Sequence, residues 1–187
     1  MERNINNYIN FVISTDKKYK IVSDKIISNK IATYSNKIIK NCFLQVELYK
    51  PGNINNYAYL VIEYQSNNSN DLIIEVNVNS SLLPSKKDNI FHLNNVFWGI
   101  PNNDDKLGEA ILITTTAKVK ELNFPSGKLI FKSGAYREDT GTSCALMEKM
   151  ALFALELLDK DIDLLNDNDI IEIWKNEFKK PIIYRIK

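Results

Sequence analysis

Apolar and polar residues alternate along several stretches of the first half of the chain, which is the pattern of half-buried β-strands. In 72–78 every second residue is Leu, Ile or Val, so one face of this strand is apolar. Residues 43–49 and 57–64 are rich in the same β-forming side chains. The short polar connection 66–70 predicts that the strands on either side of it pair as an antiparallel hairpin. Residues 1–24 hold enough β-forming side chains for one or two further short strands.

The spacing of apolar residues changes in the middle of the chain. Over 85–100 apolar side chains recur every three or four residues, which predicts a helix. These side chains are Ile90, Leu93, Phe97 and Ile100. A long run of β-type residues at 110–122 predicts a strand, and 128–132 predicts another after a Pro-Ser-Gly turn.

The strongest helical pattern begins at Cys144. Residues 144–158 are apolar on nearly every side, which predicts a helix packed against a sheet. Its first turn can be capped by Thr140, Thr142 or Ser143. Helix-compatible spacing returns at 170–178, and 181–186 can form a short strand.

Length and composition indicate one globular domain. The chain has 187 residues with 24 basic and 23 acidic side chains, so its net charge of +1 disfavours a dedicated, strongly basic nucleic-acid binder. Two cysteines are too few for a disulfide framework, and the N-terminus lacks a basic-then-apolar signal, so we expect a cytoplasmic setting. The 24 Asn and 25 Ile are typical of an AT-rich genome.

The chain divides by composition into three segments. Residues 25–158 hold the predicted α+β core domain, and 1–24 precede it as an N-terminal leader or extra strands. Residues 159–187 are predicted to be an acidic linker followed by a helix or strand extension. Seven acidic residues and a single lysine lie within 156–172. This run is typical of a solvated linker and helix face, with a partner site as the alternative.

Motifs that the sequence lacks exclude several kinds of chemistry. None of the six glycines opens the Gly-x4-Gly-Lys-Ser/Thr loop that binds phosphates, so we expect no nucleotide. One histidine and two distant cysteines cannot supply a structural zinc site, so we expect no metal and no cofactor. No stretch of about 18 apolar residues is present, so we expect no membrane partner.

Cys144 is the most chemically suggestive residue because it begins a predicted helix. The positive end of a helix dipole and the free N–H groups of its first turn stabilise a thiolate. His92 can act as the base, and Glu109 can orient that histidine. The order His, acid, Cys, with gaps of 17 and 35 positions, resembles the ubiquitin-like-protein and adenovirus-type cysteine peptidases, which implies a cysteine-dependent hydrolase. The alternative is a small buried thiol that begins a core helix.

A collinear series of elements covers residues 25–158. It begins with the strand Tyr59-Leu60-Val61-Ile62-Glu63-Tyr64 and continues with the strand 72–78, a bend ending in Pro84, the helix-like 85–100, the apolar run 111–122, the turn 134–139 and the Ala-containing helix 144–158. This order resembles the fourth domain of translation elongation factor G and its ribosomal-protection relatives. The resemblance implies a βαβ-type α+β sandwich, with a four-stranded or larger, mainly antiparallel sheet and helices packed on one face.

The resemblance also implies a site. In the family, two loops at one tip of the domain contact RNA in the small ribosomal subunit, and by position these loops are 52–57 and 134–140. The expected contacts are Lys37, Lys40, Tyr57, Tyr136 and Arg137, acting on phosphates or stacking on bases. The first fifty residues add a local basic bias, with nine basic and four acidic side chains.

Three functions therefore remain open at the level of sequence. The first is a non-catalytic module that binds the ribosome or RNA through the two loops. The second is a protein-binding inhibitor or immunity-type protein from a bacterium or phage, which fits the small size and the acidic segment equally well. The third is the hydrolase that uses Cys144 and His92.

Overall fold

The computed structural model describes residues 2–6, 10–15, 20–21, 23–52, 56–80, 91, 93–102, 106–137 and 142–179. The strands are β1 (Glu2–Asn6), β2 (Asn10–Ser14), β3 (Lys25–Ala32), β4 (Cys42–Tyr49), β5 (Tyr57–Ser66), β6 (Asp71–Val78), β7 (Val96–Trp98) and β8 (Gly127–Arg137). The α-helices are α1 (Leu107–Glu121), α2 (Cys144–Asp159) and α3 (Asp167–Lys179), and a short 3₁₀ helix covers Ile162–Leu164.

All eight strands belong to one mixed sheet. The order across the sheet is β1-β2-β4-β5-β8-β6-β3, and β7 pairs with the end of β8. Every neighbouring pair is antiparallel except β6 and β8, which are parallel. Parallel neighbours need a crossover connection, and α1 lies within this one, so β6, α1 and β8 form a βαβ unit.

The helices pack on one face of this sheet. Side chains from alternate strand positions, such as Leu44, Leu60 and Ile74, form the main core together with Met147 and Phe153 of α2. All of these side chains are buried, which places the largest apolar area of the chain between the sheet and the helices. The predicted α+β fold, with a mainly antiparallel sheet and helices on one face, is confirmed.

The opposite face of the sheet carries a second, smaller cluster. Tyr57, Tyr59 and Val61 of β5 are buried there, and the segment 91–98 packs over them. The ring of Trp98 meets the ring of Tyr59 edge to face, with 5.8 Å between the centroids. This aromatic cluster lies under the end of the sheet where β4 leads into β5.

A buried ionic network joins the three helices. Lys118 of α1 is 2% exposed, and its Nζ lies 2.7 Å from Glu156 of α2, 3.4 Å from Glu177 of α3 and 2.9 Å from Glu121. Burial lowers the pKa of Lys118, but its hydrogen bonds with Glu156 and Glu121 and the charge of Glu177 together raise it above the ordinary lysine value. The lysine therefore stays charged inside the helical layer.

The described parts of both terminal segments join the same core. β2 pairs with β4 along Asn10–Ser14, which extends the sheet beyond the predicted core domain. Trp174 of α3 packs edge to face on Phe153 of α2, with 5.2 Å between the ring centroids. Residues 25–158 are consequently not a separate packing unit.

Three sequence-based element predictions are wrong. The strands at 57–64 and 72–78 form no hairpin, because β8 lies between β5 and β6 and hydrogen-bonds both. The predicted strand 110–122 is helix α1, whose buried positions recur every three or four residues. The predicted helix 85–100 contains strand β7 at Val96–Trp98, while 81–90 lies outside the described residues.

Other predicted elements correspond closely to the structure. The strands at 43–49, 57–64 and 72–78 are β4, β5 and β6, and the helices at 144–158 and 170–178 are α2 and α3. Ser143 is the cap of α2, and its side chain accepts a hydrogen bond from the backbone N–H of Leu146. The predicted strand at 181–186 lies outside the described residues.

Candidate functional site

The described ends of the two predicted contact loops meet at one end of the sheet, which we call the tip (residues 49–52, 56–57, 134–137 and 142). Arg137 donates from Nη1 to Oδ1 of Asn56 over 3.3 Å. Thr142 donates from Oγ1 to the carbonyl oxygen of Tyr57 over 2.7 Å and accepts from the backbone N–H of Arg137 over 2.8 Å. Two segments about eighty residues apart in sequence are therefore held together by side-chain hydrogen bonds.

Tyr57 supports the tip from inside. Its side chain is fully buried, and its hydroxyl donates to Oε1 of Glu47 over 2.6 Å. Burial, and then the charge of Glu47, raises the pKa of Tyr57 well above the ordinary tyrosine value, so the hydroxyl stays protonated. In this conformation the ring has no surface on which a base can stack, which corrects its expected role as an RNA contact.

Two other predicted contacts remain partly accessible at the tip. Tyr136 is half-buried, and its ring packs on Phe97 with 5.7 Å between the centroids. Arg137 is also half-buried, and its guanidinium forms no ion pair with the described residues. Its buried Nε has no hydrogen-bond partner there. The positive charge of Arg137 is therefore not neutralised by the described part of the chain.

The remaining two predicted contacts lie at the opposite end of the sheet. Lys37 and Lys40 precede Cys42, which pairs with Tyr64, whereas the tip begins where Tyr49 pairs with Tyr57. Seven residues of extended strand separate these two pairings, or about 23 Å at the usual rise. The five expected RNA contacts therefore do not form one surface.

Lys37 is also engaged in an ion pair. Its Nζ lies 2.6 Å from Oδ1 of Asp159 and donates to the carbonyl oxygen of Leu122 over 3.3 Å. Further lysine–carboxylate pairs with short separations are Lys30–Asp71, Lys128–Glu75 and Lys132–Glu63. Much of the positive charge on the described sheet is thus matched by neighbouring carboxylates.

A cavity of about 380 Å³ opens beside Lys37 and Lys40, between residues 38–43 and 158–163. We call residues 33–43 and 158–164 the cavity surface. Apolar side chains from both segments line the cavity together with the carboxylates of Asp159, Asp161 and Asp163. Asp161 accepts a hydrogen bond on Oδ1 from the backbone N–H of Asp163 over 3.3 Å. Within the described residues, neither Asp161 nor Asp163 forms an ion pair.

The thiol of Cys42 reports on the environment of the cavity that it lines. Burial, and then the negative charges of Asp161, Asp163 and Glu63, raise the pKa of Cys42 to about 11, against the opposite effect of a backbone hydrogen bond from Tyr64. A thiol with this pKa is almost entirely protonated near neutral pH. The cavity is consequently not the setting of a reactive thiolate.

Exposed apolar side chains accompany this cavity. Ile38, which lines it, is 91% exposed, and Leu164, which follows the lining residue Asp163, is 79% exposed. Tyr34 lies four residues before Ile38 and is 88% exposed. Ile38 and Leu164 therefore leave apolar surface open to solvent at or next to the cavity, and apolar surface beside a concave site is where partners bind.

The predicted thiol site is only partly visible. Cys144 is the first residue of α2 and is half-buried. Glu109 is exposed in the first turn of α1, and its carboxylate lies 3.9 Å from Nζ of Lys106, with no hydrogen bond to Cys144. His92 lies outside the described residues. The proposed use of Glu109 to orient His92 remains a prediction.

Sequence reasoning missed the cavity. The acidic run that contains Asp161 and Asp163 was visible, and a partner site was the alternative interpretation of it. The opposite wall, residues 38–43, showed no signal, because it is formed by a connection between β3 and β4 rather than by a motif.

Two negative findings concern the described residues alone. They hold no group of three or more His, Cys, Asp and Glu side chains placed to bind a metal ion. None of their helices combines the length and the apolar character needed to cross a membrane. Comparison with known proteins finds no matching protein family, no matching curated protein and no matching solved structure.

Proposed function

We propose that this chain is a non-catalytic binding module that acts on a protein partner through the cavity surface. The observation that carries the proposal is the exposure of Ile38 at the edge of a cavity. An apolar side chain next to a concave, partly apolar pocket is the usual centre of a protein–protein contact, because its burial there releases ordered water. A protein-binding inhibitor or immunity-type protein is the class that this arrangement fits.

The distribution of charge also favours a protein partner over RNA. Affinity for RNA comes largely from unpaired cations that neutralise phosphates. Lys37 is paired with Asp159, and the lysines of the sheet at positions 30, 128 and 132 have carboxylates within 2.8 Å. A surface that combines the exposed Ile38 with Asp161 and Asp163, which form no ion pair among the described residues, suits a protein contact better than contact with RNA phosphates.

Site-specific photo-crosslinking tests the proposal. We would place a photoreactive phenylalanine analogue at position 38 or, as a matched control, at position 26, since Ile26 is also an exposed isoleucine but lies on the outer strand β3. In extract from the source cells, we expect one dominant protein adduct at position 38 and none at position 26. Equal adducts at both positions would contradict a specific surface.

Binding of the purified partner then provides the quantitative test. We expect Ile38→Asp to weaken the complex at least ~10-fold, because truncating or charging an interface anchor costs on the order of 1–2 kcal/mol or more. Ile26→Asp should leave the affinity unchanged. A loss that is the same for both variants, or absent from both, would refute the assignment of the surface.

A second candidate function is supported by the tip. Arg137 stands where the two loops converge, carries a charge that the described residues do not neutralise, and contacts Asn56 from the other loop. This geometry suits a contact with an RNA phosphate, and it agrees with the arrangement that the elongation factor G resemblance implies.

Co-sedimentation with ribosomes tests this second candidate. Binding through phosphates should fall steeply between about 50 and 300 mM salt. We expect Arg137→Glu to abolish pelleting and Lys40→Glu, the same charge change at the opposite end of the sheet, to retain it. Absence of pelleting at both salt concentrations would remove RNA binding at the tip.

A further inference from the structure

We propose that the cavity receives a cationic side chain, of lysine or arginine type, that projects from the docking protein between its apolar contacts. This inference rests on the proposed function, since it names the chemistry of the group that the cavity surface binds. The occupant is thereby a basic and apolar segment of a protein.

The cavity has a size and walls that suit one long side chain. A volume of about 380 Å³ is at the lower end of the range of pockets that hold small ligands, and it is ample for one long side chain. Ile39 and Leu158 provide apolar walls, and both are buried. The aliphatic stem of a lysine or arginine packs on such walls while its charged end seeks a carboxylate.

The cavity is lined by more carboxylates than lysines. Three aspartates line the cavity, and Asp159 is already paired with Lys37. Asp161 and Asp163 have no ion pair among the described residues, whereas Lys40 is the one lysine of the lining. Counted over the described residues alone, the cavity thus keeps an excess of one negative charge, which complements a cation and repels phosphate.

The thiol of Cys42 lines the same cavity and is affected by the same carboxylates. After burial, the charges of Asp161, Asp163 and Glu63 disfavour its ionisation and raise its pKa. A charged reagent that reacts with Cys42 therefore samples the charge of the cavity.

Charge-selective labelling of Cys42 tests the inference without a partner. In Cys144→Ser, Cys42 is the only cysteine, and its reaction rates with a cationic (trimethylammonium) and an anionic (sulfonate) methanethiosulfonate can be compared. The thiolate attacks the reagent sulfur, a disulfide forms and methanesulfinate leaves, so the charge of the reagent is delivered into the cavity. We expect the cationic-to-anionic rate ratio to exceed that of 2-mercaptoethanol about 10-fold, the lower end of the effect of a charged cleft.

Two variants make the test specific. Asp161→Asn with Asp163→Asn should return the rate ratio to that of 2-mercaptoethanol, and asparagine keeps the side-chain acceptor and tolerates the positive φ of 58° at position 161. Glu172→Gln removes an exposed carboxylate of α3 outside the cavity and should leave the ratio unchanged. A ratio equal to that of 2-mercaptoethanol in the parent protein would overturn the inference.

A second measurement keeps the inference testable if the double variant does not fold. Butylguanidinium should slow the labelling of Cys42 by neutral iodoacetamide, and butanol at the same concentration should not. Equal protection by both would show a merely apolar pocket and overturn the inference. Crosslinking at position 38 together with no cation preference at Cys42 would retain the proposed function and reject this inference alone. No crosslink at position 38 would overturn both the proposed function and this inference.

Discussion

Replacing Lys118 with methionine perturbs the charged group that α1, α2 and α3 share. Methionine keeps most of the apolar stem but removes the ammonium group that lies 2.7 Å from Glu156 and 3.4 Å from Glu177. Glu177 is 3% exposed, so its carboxylate loses the contact with Lys118 inside the helical layer. The charge of Lys149 of α2 still acts on Glu177, and Glu156 keeps Lys160 at 3.9 Å. Glu121 is half exposed and can turn to water.

The expected loss in the free energy of unfolding depends on which carboxylates stay buried after the substitution. Removing one partner of a buried ion pair costs about 3–5 kcal/mol where the other charge is left without compensation. The remaining charges of Lys149 and Lys160 place Lys118→Met toward the lower end of that range. The exposed contact with Glu121 adds about 0–1 kcal/mol at most. For a chain of this length such a loss lowers the melting temperature by roughly 6–20 °C.

The assay is urea unfolding followed by circular dichroism at neutral pH. Lys120→Met, on the exposed side of the same helix, is the matched control and should stay within about 0.5 kcal/mol of the parent protein. Because the pKa of Lys118 is raised in the fold, its contribution is complete below the unfolded lysine value and is lost only as pH rises through the folded value. The deficit of Lys118→Met should therefore be constant between about pH 6 and pH 9.

A second substitution should restore part of the stability that Lys118→Met loses. Combining Lys118→Met with Glu177→Gln removes one of the two buried carboxylates that lose their contact with Lys118. The double variant should therefore recover part of the lost free energy of unfolding. A single-variant loss below about 1 kcal/mol would refute the reasoning, since it would mean that the carboxylates do not depend on Lys118.

Three further predictions concern single groups. Tyr57→Phe removes the 2.6 Å hydrogen bond to buried Glu47 and should lower the free energy of unfolding by about 1.5–3 kcal/mol in urea; an unchanged midpoint would contradict the buried role of the hydroxyl. Ser143→Ala removes the cap of α2 and should cost about 1 kcal/mol in the same assay, with Ser143→Asp as the variant that retains the cap. The rate of Cys42 alkylation should keep rising up to a pH of about 11, because the pKa of this thiol is raised in the folded protein. For the same reason the free energy of unfolding should fall as pH rises above the pKa of the unfolded thiol. An alkylation rate that levels off near about pH 8.5 would contradict the raised pKa.

The elements best predicted from the sequence are those in which buried residues recur at a regular spacing. In β6 the residues Leu72, Ile74, Val76 and Val78 are buried and those between them are half-buried, so the alternation in the sequence is the alternation in the fold. Helix α2 was equally visible, because nearly every position from Leu146 to Leu158 meets the core.

Helix α1 was misread for a physical reason that the structure identifies. Its buried face includes Thr114, Thr115 and Lys118, so two hydroxyls and an ammonium group interrupt the apolar period. Glu121 of the same helix is one partner of this lysine, but the buried carboxylates Glu156 and Glu177 belong to other helices and cannot be inferred from local sequence. Intrinsic β-preference of the threonines and isoleucines then dominated the prediction, and tertiary packing overrode it.

The candidate site was predicted in part. The resemblance implied that loops 52–57 and 134–140 lie at one tip and contact RNA, which stays a prediction; among the described residues, Arg137 donates a hydrogen bond to Asn56. The burial of Tyr57 and the separation of Lys37 from the tip depend on strand register and on the long connection between β3 and β4, which no local pattern encodes.

The central position of β8 has a consequence for how the chain folds during synthesis. Until Gly127–Arg137 emerges, β5 and β6 each lack a hydrogen-bonding neighbour on one edge, so the sheet exists as two unconnected halves. Such non-local pairing slows folding and leaves open strand edges that can pair with other chains. A nascent chain that stalls before residue 127 therefore has two unpaired strand edges, on β5 and on β6, that can pair with other chains. Once the complete chain is released, β8 hydrogen-bonds to both edges.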